Sequence, residues 1–295
     1  MMTITRVGVV GAGLMGSGIA QVSAAGGYRT VVREVSPELL DRGLAKIAAF
    51  LDRSVKRGKA TVEQKEQTLK NLSGTTALEE LGDCDLVIEA VTEDIAVKKE
   101  VFAALDGICK PATIFATNTS SLTVTEMAVV TRRPEQFVGL HFFNPVPIMQ
   151  LVEVVRTIQT NQATFDSVFK WARSVGKVPI ACKDSSGFVV NLLLVPYLLS
   201  AIRAVERGTA SIEDIDRGMS LGCGHPMGPL TLLDFVGLDT IYSIANIMFD
   251  EYRETQYAPP PLLKQMVQAG FHGRKSGRGF YDYGPAEPVP AELGL

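Results

Sequence analysis

Between a short β-branched run and a helix-compatible stretch, the chain carries Gly11-Ala12-Gly13-Leu14-Met15-Gly16, a G-x-G-x-x-G loop. Glycine is common, so the pattern alone says little, and its context supplies the constraint. The loop follows Arg6-Val7-Gly8-Val9-Val10, opens a helical stretch that stops at Gly26-Gly27, and is answered by Glu34 at the end of a second apolar run. An acid about 20 residues past such a loop is the spacing expected of a group that grips a ribose. Each glycine has its own reason: Gly11 permits the tight turn, Gly13 lets a pyrophosphate approach the backbone, and Gly16 lets the helix pack close to the strand. The helix N-terminus offers unpaired N–H groups to phosphates. Gly11, Gly13, Leu14, Met15, Gly16 and Glu34 are therefore candidate cofactor-binding residues. A carboxylate at position 34 can accept from both ribose hydroxyls and would repel a 2'-phosphate, which predicts NAD rather than NADP. Arg33 beside it reads as a solvated strand-end charge.

The strand, helix, strand unit implies parallel pairing, because a crossover helix joins the two strands. Residues 37–72 are helical in period and rich in charge, with Lys56-Arg57-Gly58-Lys59 at the tip of a helical hairpin. Apolar runs then recur at residues 86–88, 114–116, 138–143, 152–155 and 179–182, with helix-like segments between several of them. This alternation predicts an α/β fold with an N-terminal doubly wound, Rossmann-type sheet interrupted by the hairpin excursion. Beyond residue 184 the pattern becomes helical, over residues 188–205, 212–221, 230–252 and 262–269, with a kink expected at Pro196. The expected organisation is a dinucleotide-binding domain over residues 1–185 and an all-helical domain over residues 186–295.

A chain of 295 residues with 46% hydrophobic and 21% charged residues has the composition of an ordinary globular protein. With 29 Lys and Arg against 32 Asp and Glu, its net charge of -3 gives no electrostatic reason to expect nucleic acid or membrane as a partner. Cys84, Cys109, Cys182 and Cys223 are scattered, without a C-x-x-C pair or a histidine at ligand spacing, so neither a metal site nor a disulfide framework is signalled. Reduced thiols in a cytoplasmic setting are expected. The N-terminus shows no signal-peptide pattern, and no apolar run reaches the roughly 18 to 20 residues of a membrane span.

Ligands of such sheets sit at the C-terminal ends of the strands. Polar clusters occupy three of these ends: Glu93, Asn118-Thr119-Ser120-Ser121, and His141 with Asn144 in the stretch GLHFFNPVP. A histidine in an apolar run is on its own more often a core residue than a reacting one. Glu153, however, stands alone in the apolar run LVEVV, and a buried carboxylate requires a donor or cation. Pro145 and Pro147 favour a turn that brings Glu153 back toward His141. Imidazole takes a proton from an alcohol near neutral pH, and a carboxylate on its other nitrogen fixes the tautomer and stabilises the imidazolium.

Seven stretches, VGVVGAGLMGSGIAQ, LVIEAVTED, ATNTSSL, GLHFFNPVPIMQLVEVV, KDSSGFVVN, HPMGPLTLLDFVGLDT and GRKSGRGFYDY, give the chain a resemblance to the 3-hydroxyacyl-CoA dehydrogenase family, nearest its short single-function 3-hydroxybutyryl-CoA members. The resemblance implies that His141 is the catalytic base and Glu153 its orienting carboxylate, with Ser120 and Asn191 holding the reacting oxygen and the histidine. It further implies cofactor contacts by Glu93, Lys98, Asn144 and Lys275, and contact of the Lys56 and Arg57 hairpin with the CoA nucleotide. The substrate implied is an acyl-CoA thioester, and the helical domain is implied to form a homodimer interface. Family relatives that oxidise a sugar acid such as L-gulonate, or that bind the nicotinamide without catalysis, mark the alternatives. Two positions depart from the family: Leu192 replaces a usual Arg, and Glu34 a usual Asp. His225 and His272 read as structural and surface residues, respectively.

Overall fold

The computed structural model describes residues 3–294. The chain separates into two compact units, with the division after Phe188. The first contains β1 (Arg6–Val10), α1 (Leu14–Ala25), β2 (Arg29–Arg33), α2 (Pro37–Lys56), α3 (Val62–Lys70), β3 (Leu72–Thr75), β4 (Leu86–Glu89), α4 (Ile95–Ile108), β5 (Ile114–Thr117), α5 (Val124–Ala128), β6 (Phe137–Phe142), β7 (Leu151–Arg156), α6 (Gln162–Ser174) and β8 (Val178–Lys183). The strands form one eight-stranded sheet in the order β3-β2-β1-β4-β5-β6-β7-β8, parallel throughout except for the antiparallel β6–β7 pair. The order reverses between β1 and β4, which is where a doubly wound sheet opens a crevice at its strand C-termini.

Successive strand residues point to opposite faces, and both faces are covered. Val7, Val9, Leu86 and Ile88 pack with Ile19 of α1, Ile47 of α2 and Trp171 of α6. Val10, Val87, Phe115 and Phe137 pack on the other side with Phe102 of α4 and Met127 of α5. The rings of Phe102 and Phe137 stand 4.5 Å apart, edge to face. Complete burial of each such side chain contributes about 1.5–3 kcal/mol.

Local chemistry explains the hairpin excursion. Ser36 caps α2 by accepting from Leu39 N, with Pro37 in the first turn. Thr61 and Gln64 form a reciprocal capping box at the start of α3. The short edge strand β3 was not expected, since its residues LSGT include a single large apolar side chain.

The second unit contains α7 (Val190–Glu206), α8 (Ile212–Cys223), α9 (Pro229–Val236), α10 (Leu238–Tyr252), α11 (Pro261–Gln268) and a ribbon of β9 (Tyr281–Asp282) and β10 (Val289–Pro290). The ribbon corrects the all-helical expectation. The single helix expected over residues 230–252 is two helices, bent by 94°. Gly237 breaks them with φ 107, a conformation that disfavours any side chain. Phe188 lies outside α7 at φ 49, following Gly187 at φ 82, so that helix begins later than its apolar pattern suggests. Pro196 lies inside α7. Asp234 is the buried hub of this unit, accepting from Phe280 N at 2.9 Å, Tyr281 N at 2.8 Å and the Tyr283 hydroxyl at 3.1 Å. Leu192 packs against the unit's apolar core. Among the described residues no single helix is long and apolar enough to cross a membrane; α9 and α10 reach that length only as the bent pair.

Candidate active site

The glycine loop runs from the end of β1 into α1 and bonds the end of β2. Gly11 N–H donates to the Arg33 carbonyl at 2.9 Å, and the Glu34 carboxylate accepts from Ala12 N at 2.8 Å and Val35 N at 2.7 Å. Each carboxylate oxygen has a second lone pair, so Glu34 retains capacity for ribose hydroxyls. A Cβ on Gly11, which has φ 99, would lie 2.6 Å from the Ala90 carbonyl oxygen, and one on Gly16 would lie 1.9 Å from the Gly11 carbonyl oxygen. At Gly13 a Cβ would meet nothing within 4 Å. The fold itself therefore requires Gly11 and Gly16, whereas Gly13 leaves open backbone at the N-terminus of α1. That helix has no side-chain cap and no acid in its first turn, so its N–H groups suit an anionic ligand. Leu14 is exposed and Met15 half-buried beside them. These residues fit a dinucleotide.

A second network occupies the ends of β4 and β5. Glu89, the last residue of β4, is wholly buried and accepts from Lys98 Nζ at 2.6 Å, Thr117 Oγ1 at 2.6 Å and Val91 N at 2.7 Å. Lys98 Nζ also lies 3.3 Å from Glu93 Oε2. Glu93 Oε1 in turn accepts from Thr119 Oγ1 at 2.5 Å, Ser120 N at 2.9 Å and Ser120 Oγ at 3.4 Å. Burial opposes ionisation of Glu93, but the Lys98 ammonium and these donors outweigh it and hold the carboxyl below its ordinary range. Asn118 Oδ1 accepts from Phe142 N at 2.9 Å and so ties the Ser120 segment to the end of β6.

His141 and Glu153 face each other across the antiparallel β6–β7 pair. His141 Nδ1 and Glu153 Oε2 are 2.7 Å apart, the carboxylate fully buried and the imidazole nearly so. The second carboxylate oxygen lies 3.9 Å from Cys182 Sγ on β8. Burial, reinforced by that carboxylate, pushes the Cys182 thiol up to about 12, so it stays a neutral donor. Phe143 and Phe188 flank the imidazole with ring centroids at 4.5 and 5.7 Å. With Nδ1 held by the carboxylate, Nε2 is the nitrogen available for proton exchange. Lys177 bonds the carbonyls of Val146 and Met149 and fixes the turn containing the cis Asn144–Pro145 bond.

The sequence-predicted residues thus gather into three groups of the first unit: the glycine loop with Glu34, Ser120 with Glu93 and Lys98, and His141 with Glu153. Lys56 and Arg57 are exposed at the hairpin tip. Asn191 and Lys275 belong to the second unit, where Lys275 pairs with Asp239 at 2.6 Å. His225 bonds the Tyr197 hydroxyl at 3.1 Å, and His272, half-buried, meets the Val267 carbonyl at 3.2 Å. Glu89, Thr117, Cys182 and Phe188 were not singled out from sequence. For Glu89 a signal existed: like Glu153, it is a lone carboxylate in an apolar strand.

A doubly wound sheet with a dinucleotide-type glycine loop thus carries a buried histidine–carboxylate pair on two of its own strands. Comparison with known families is specific: residues 6–185 match the NAD binding domain of 3-hydroxyacyl-CoA dehydrogenase, and residues 187–283 its C-terminal domain. The chain belongs to the 3-hydroxyacyl-CoA dehydrogenase family. It is 52% identical to the 3-hydroxybutyryl-CoA dehydrogenase of Mycobacterium tuberculosis over 282 residues, 95% of this chain and 99% of the relative. It is 46% identical to the human mitochondrial hydroxyacyl-coenzyme A dehydrogenase over 95% of this chain and 91% of that protein. The crystal structure of (S)-3-hydroxybutyryl-CoA dehydrogenase from Ralstonia eutropha, 43% identical, superposes with a TM-score of 0.93 and covers 96% of this chain and all (100%) of that one.

Proposed function

We propose that the protein catalyses the reversible NAD-dependent oxidation of (S)-3-hydroxyacyl-CoA, with 3-hydroxybutyryl-CoA as the principal substrate, and that His141 and Glu153 are its proton-transfer pair. The 2.7 Å contact between His141 Nδ1 and Glu153 Oε2 carries this reading. His141 Nε2 takes the proton of the 3-hydroxyl during oxidation and returns it during reduction. Glu153 holds the ring in the tautomer that leaves Nε2 basic and stabilises the imidazolium formed. Ser120 and, by family resemblance, Asn191 share the developing charge on the reacting oxygen. NAD, when bound, supplies the hydride acceptor. Gly11, Gly13, Leu14, Met15, Gly16 and Glu34 hold its phosphates and ribose, and Glu93, Lys98, Asn144 and Lys275 contribute further contacts. Glu34 selects NAD against NADP by repelling a 2'-phosphate.

Residues 1–185 serve as the cofactor domain, and residues 186–295 cover the substrate and pair with a second copy in a homodimer. Lys56 and Arg57 offer cations to the CoA nucleotide. A cytoplasmic location suits four unpaired cysteines. The experiment is oxidation of NADH followed by absorbance with acetoacetyl-CoA, beside free acetoacetate and beside NADPH. The expected result is turnover that needs both the thioester and NADH. A folded, NADH-binding protein that turns over free acids but not the thioester would overturn it.

A further inference from the structure

Glu89 has no part in the proton transfer just described, yet it anchors the network behind Ser120. Its carboxylate is fixed by Val91 N and Thr117 Oγ1, and its carbonyl accepts from Asn118 N at 2.9 Å. Its partner Lys98 is almost as deeply buried, at 1% exposure against 0%. Burying such a pair is costly, and well-packed apolar side chains of similar volume are often as stable or more so. Stability of the fold is therefore a weak reason for its presence. Its position supplies a better one: the same ammonium reaches Glu93, and Glu93 holds both the backbone N–H and the hydroxyl of Ser120.

We propose that Glu89 is a positioning residue for the reaction, acting through Lys98 and Glu93 to hold Ser120 where the reacting oxygen binds. The inference rests on the dehydrogenase reading above. With the Glu89 charge removed, a glutamine oxygen can still accept from Lys98 but no longer balances its charge, so the ammonium is drawn toward the ionised Glu93, which lies nearer solvent. Glu93 then shifts, and the Ser120 hydroxyl shifts with it. A displacement of about 1 Å in a group that aligns the reactants lowers a rate by up to about a hundredfold.

The test is a double-mutant cycle on the full-length protein, with Glu89→Gln, Ser120→Ala and the double variant assayed for NADH oxidation by acetoacetyl-CoA. Glu89→Gln is expected to lower kcat roughly ten- to a hundredfold, while the KM for the thioester stays within about threefold of wild type. In the Ser120→Ala background the same substitution is expected to change kcat less than about twofold, because residues acting as a unit are non-additive. Structural damage unrelated to Ser120 would instead multiply the two losses. Thr117→Val removes one donor from Glu89 and is the smaller lesion to use if Glu89→Gln does not fold. It should lower kcat less, and again only while Ser120 is present. Wild-type kcat in both variants, or losses that multiply with Ser120→Ala, would overturn the proposal while leaving the dehydrogenase reading intact. A wild-type protein inert toward acetoacetyl-CoA would remove that reading, and this inference with it.

Discussion

Replacing Glu153 by glutamine keeps the volume of a fully buried side chain but removes its charge 2.7 Å from His141 Nδ1. In the proposed mechanism the imidazolium formed during oxidation gains from that carboxylate. Two unit charges about 4 Å apart interact by about 4 kcal/mol at the effective dielectric constant of about 20 suited to protein sites. Each 1.36 kcal/mol is about a tenfold change in rate, so the expected fall in kcat is about a thousandfold. That lies within the range of about a hundred- to ten-thousandfold associated with general acid–base catalysis. The glutamine amide can also donate to Nδ1, which forces the ring proton onto Nε2 and removes the base. Cofactor affinity should be unaffected, since Glu153 belongs to a different group of residues from the glycine loop and Glu34. The assay is steady-state NADH oxidation with acetoacetyl-CoA, beside an NADH fluorescence titration and thermal unfolding. A variant that folds and binds NADH like wild type, yet keeps kcat within about tenfold, would refute the role assigned to the pair.

Gly16→Ala should destabilise the first unit and yield little folded protein, because its Cβ would stand 1.9 Å from the Gly11 carbonyl oxygen. Gly13→Ala should fold with a near-normal unfolding midpoint, since nothing lies within 4 Å of its Cβ, yet bind NADH at least about tenfold more weakly by obstructing the pyrophosphate. Thermal unfolding and fluorescence titration of the two variants separate these outcomes. Glu34→Ala should raise the dissociation constant for NADH roughly ten- to a hundredfold, the loss of about 1.5–3 kcal/mol of charged hydrogen bonding, and narrow the difference from NADPH; titration of both cofactors measures it. The Asp85 carboxyl, though burial opposes it, is lowered to about 2 from 3.8 by Lys110, by the backbone N–H groups of Arg6 and Thr5, and by the Thr5 hydroxyl. Its folded value being depressed, Asp85 adds stability above about pH 3.8 and loses it as pH falls toward 2. Asp85→Asn should therefore be less stable than wild type at neutral pH but converge with it in acid, as urea unfolding between these limits would show.

Much of the first unit was legible because its signals are local. The glycine loop follows a strand, opens a helix and is answered by an acid, and each step lies within one βαβ unit. The boundaries that slipped have equally local causes. β3 carries a single large apolar residue and so gives no period, and α9 runs into α10 without a break in the apolar pattern, so that only the conformation at Gly237 separates them. Phe188 reads as helical by hydrophobicity, but its backbone is left-handed and its ring is spent on His141 and the sheet core.

The site was legible in a different way, through carboxylates placed where an apolar strand should reject them. Glu34, Glu89 and Glu153 each stand at the end of such a strand or within it, and each must find donors on folding. The need is visible in one short stretch, but the donor is not. Backbone N–H groups of the adjoining loop answer Glu34, a lysine one helical turn into α4 answers Glu89, and a histidine across the antiparallel pair answers Glu153. The distance between acid and partner along the chain sets what can be read. Glu34 and its loop form a recognised spacing, and Glu153 could be matched because two prolines promised a turn back to His141. Glu89 had no such turn to point along, and Lys98 was singled out by resemblance as a cofactor contact, not as the group that answers Glu89. A lone acid in an apolar strand is thus a reliable sign that a partner exists, and the topology of the sheet decides which of the chain's donors it is.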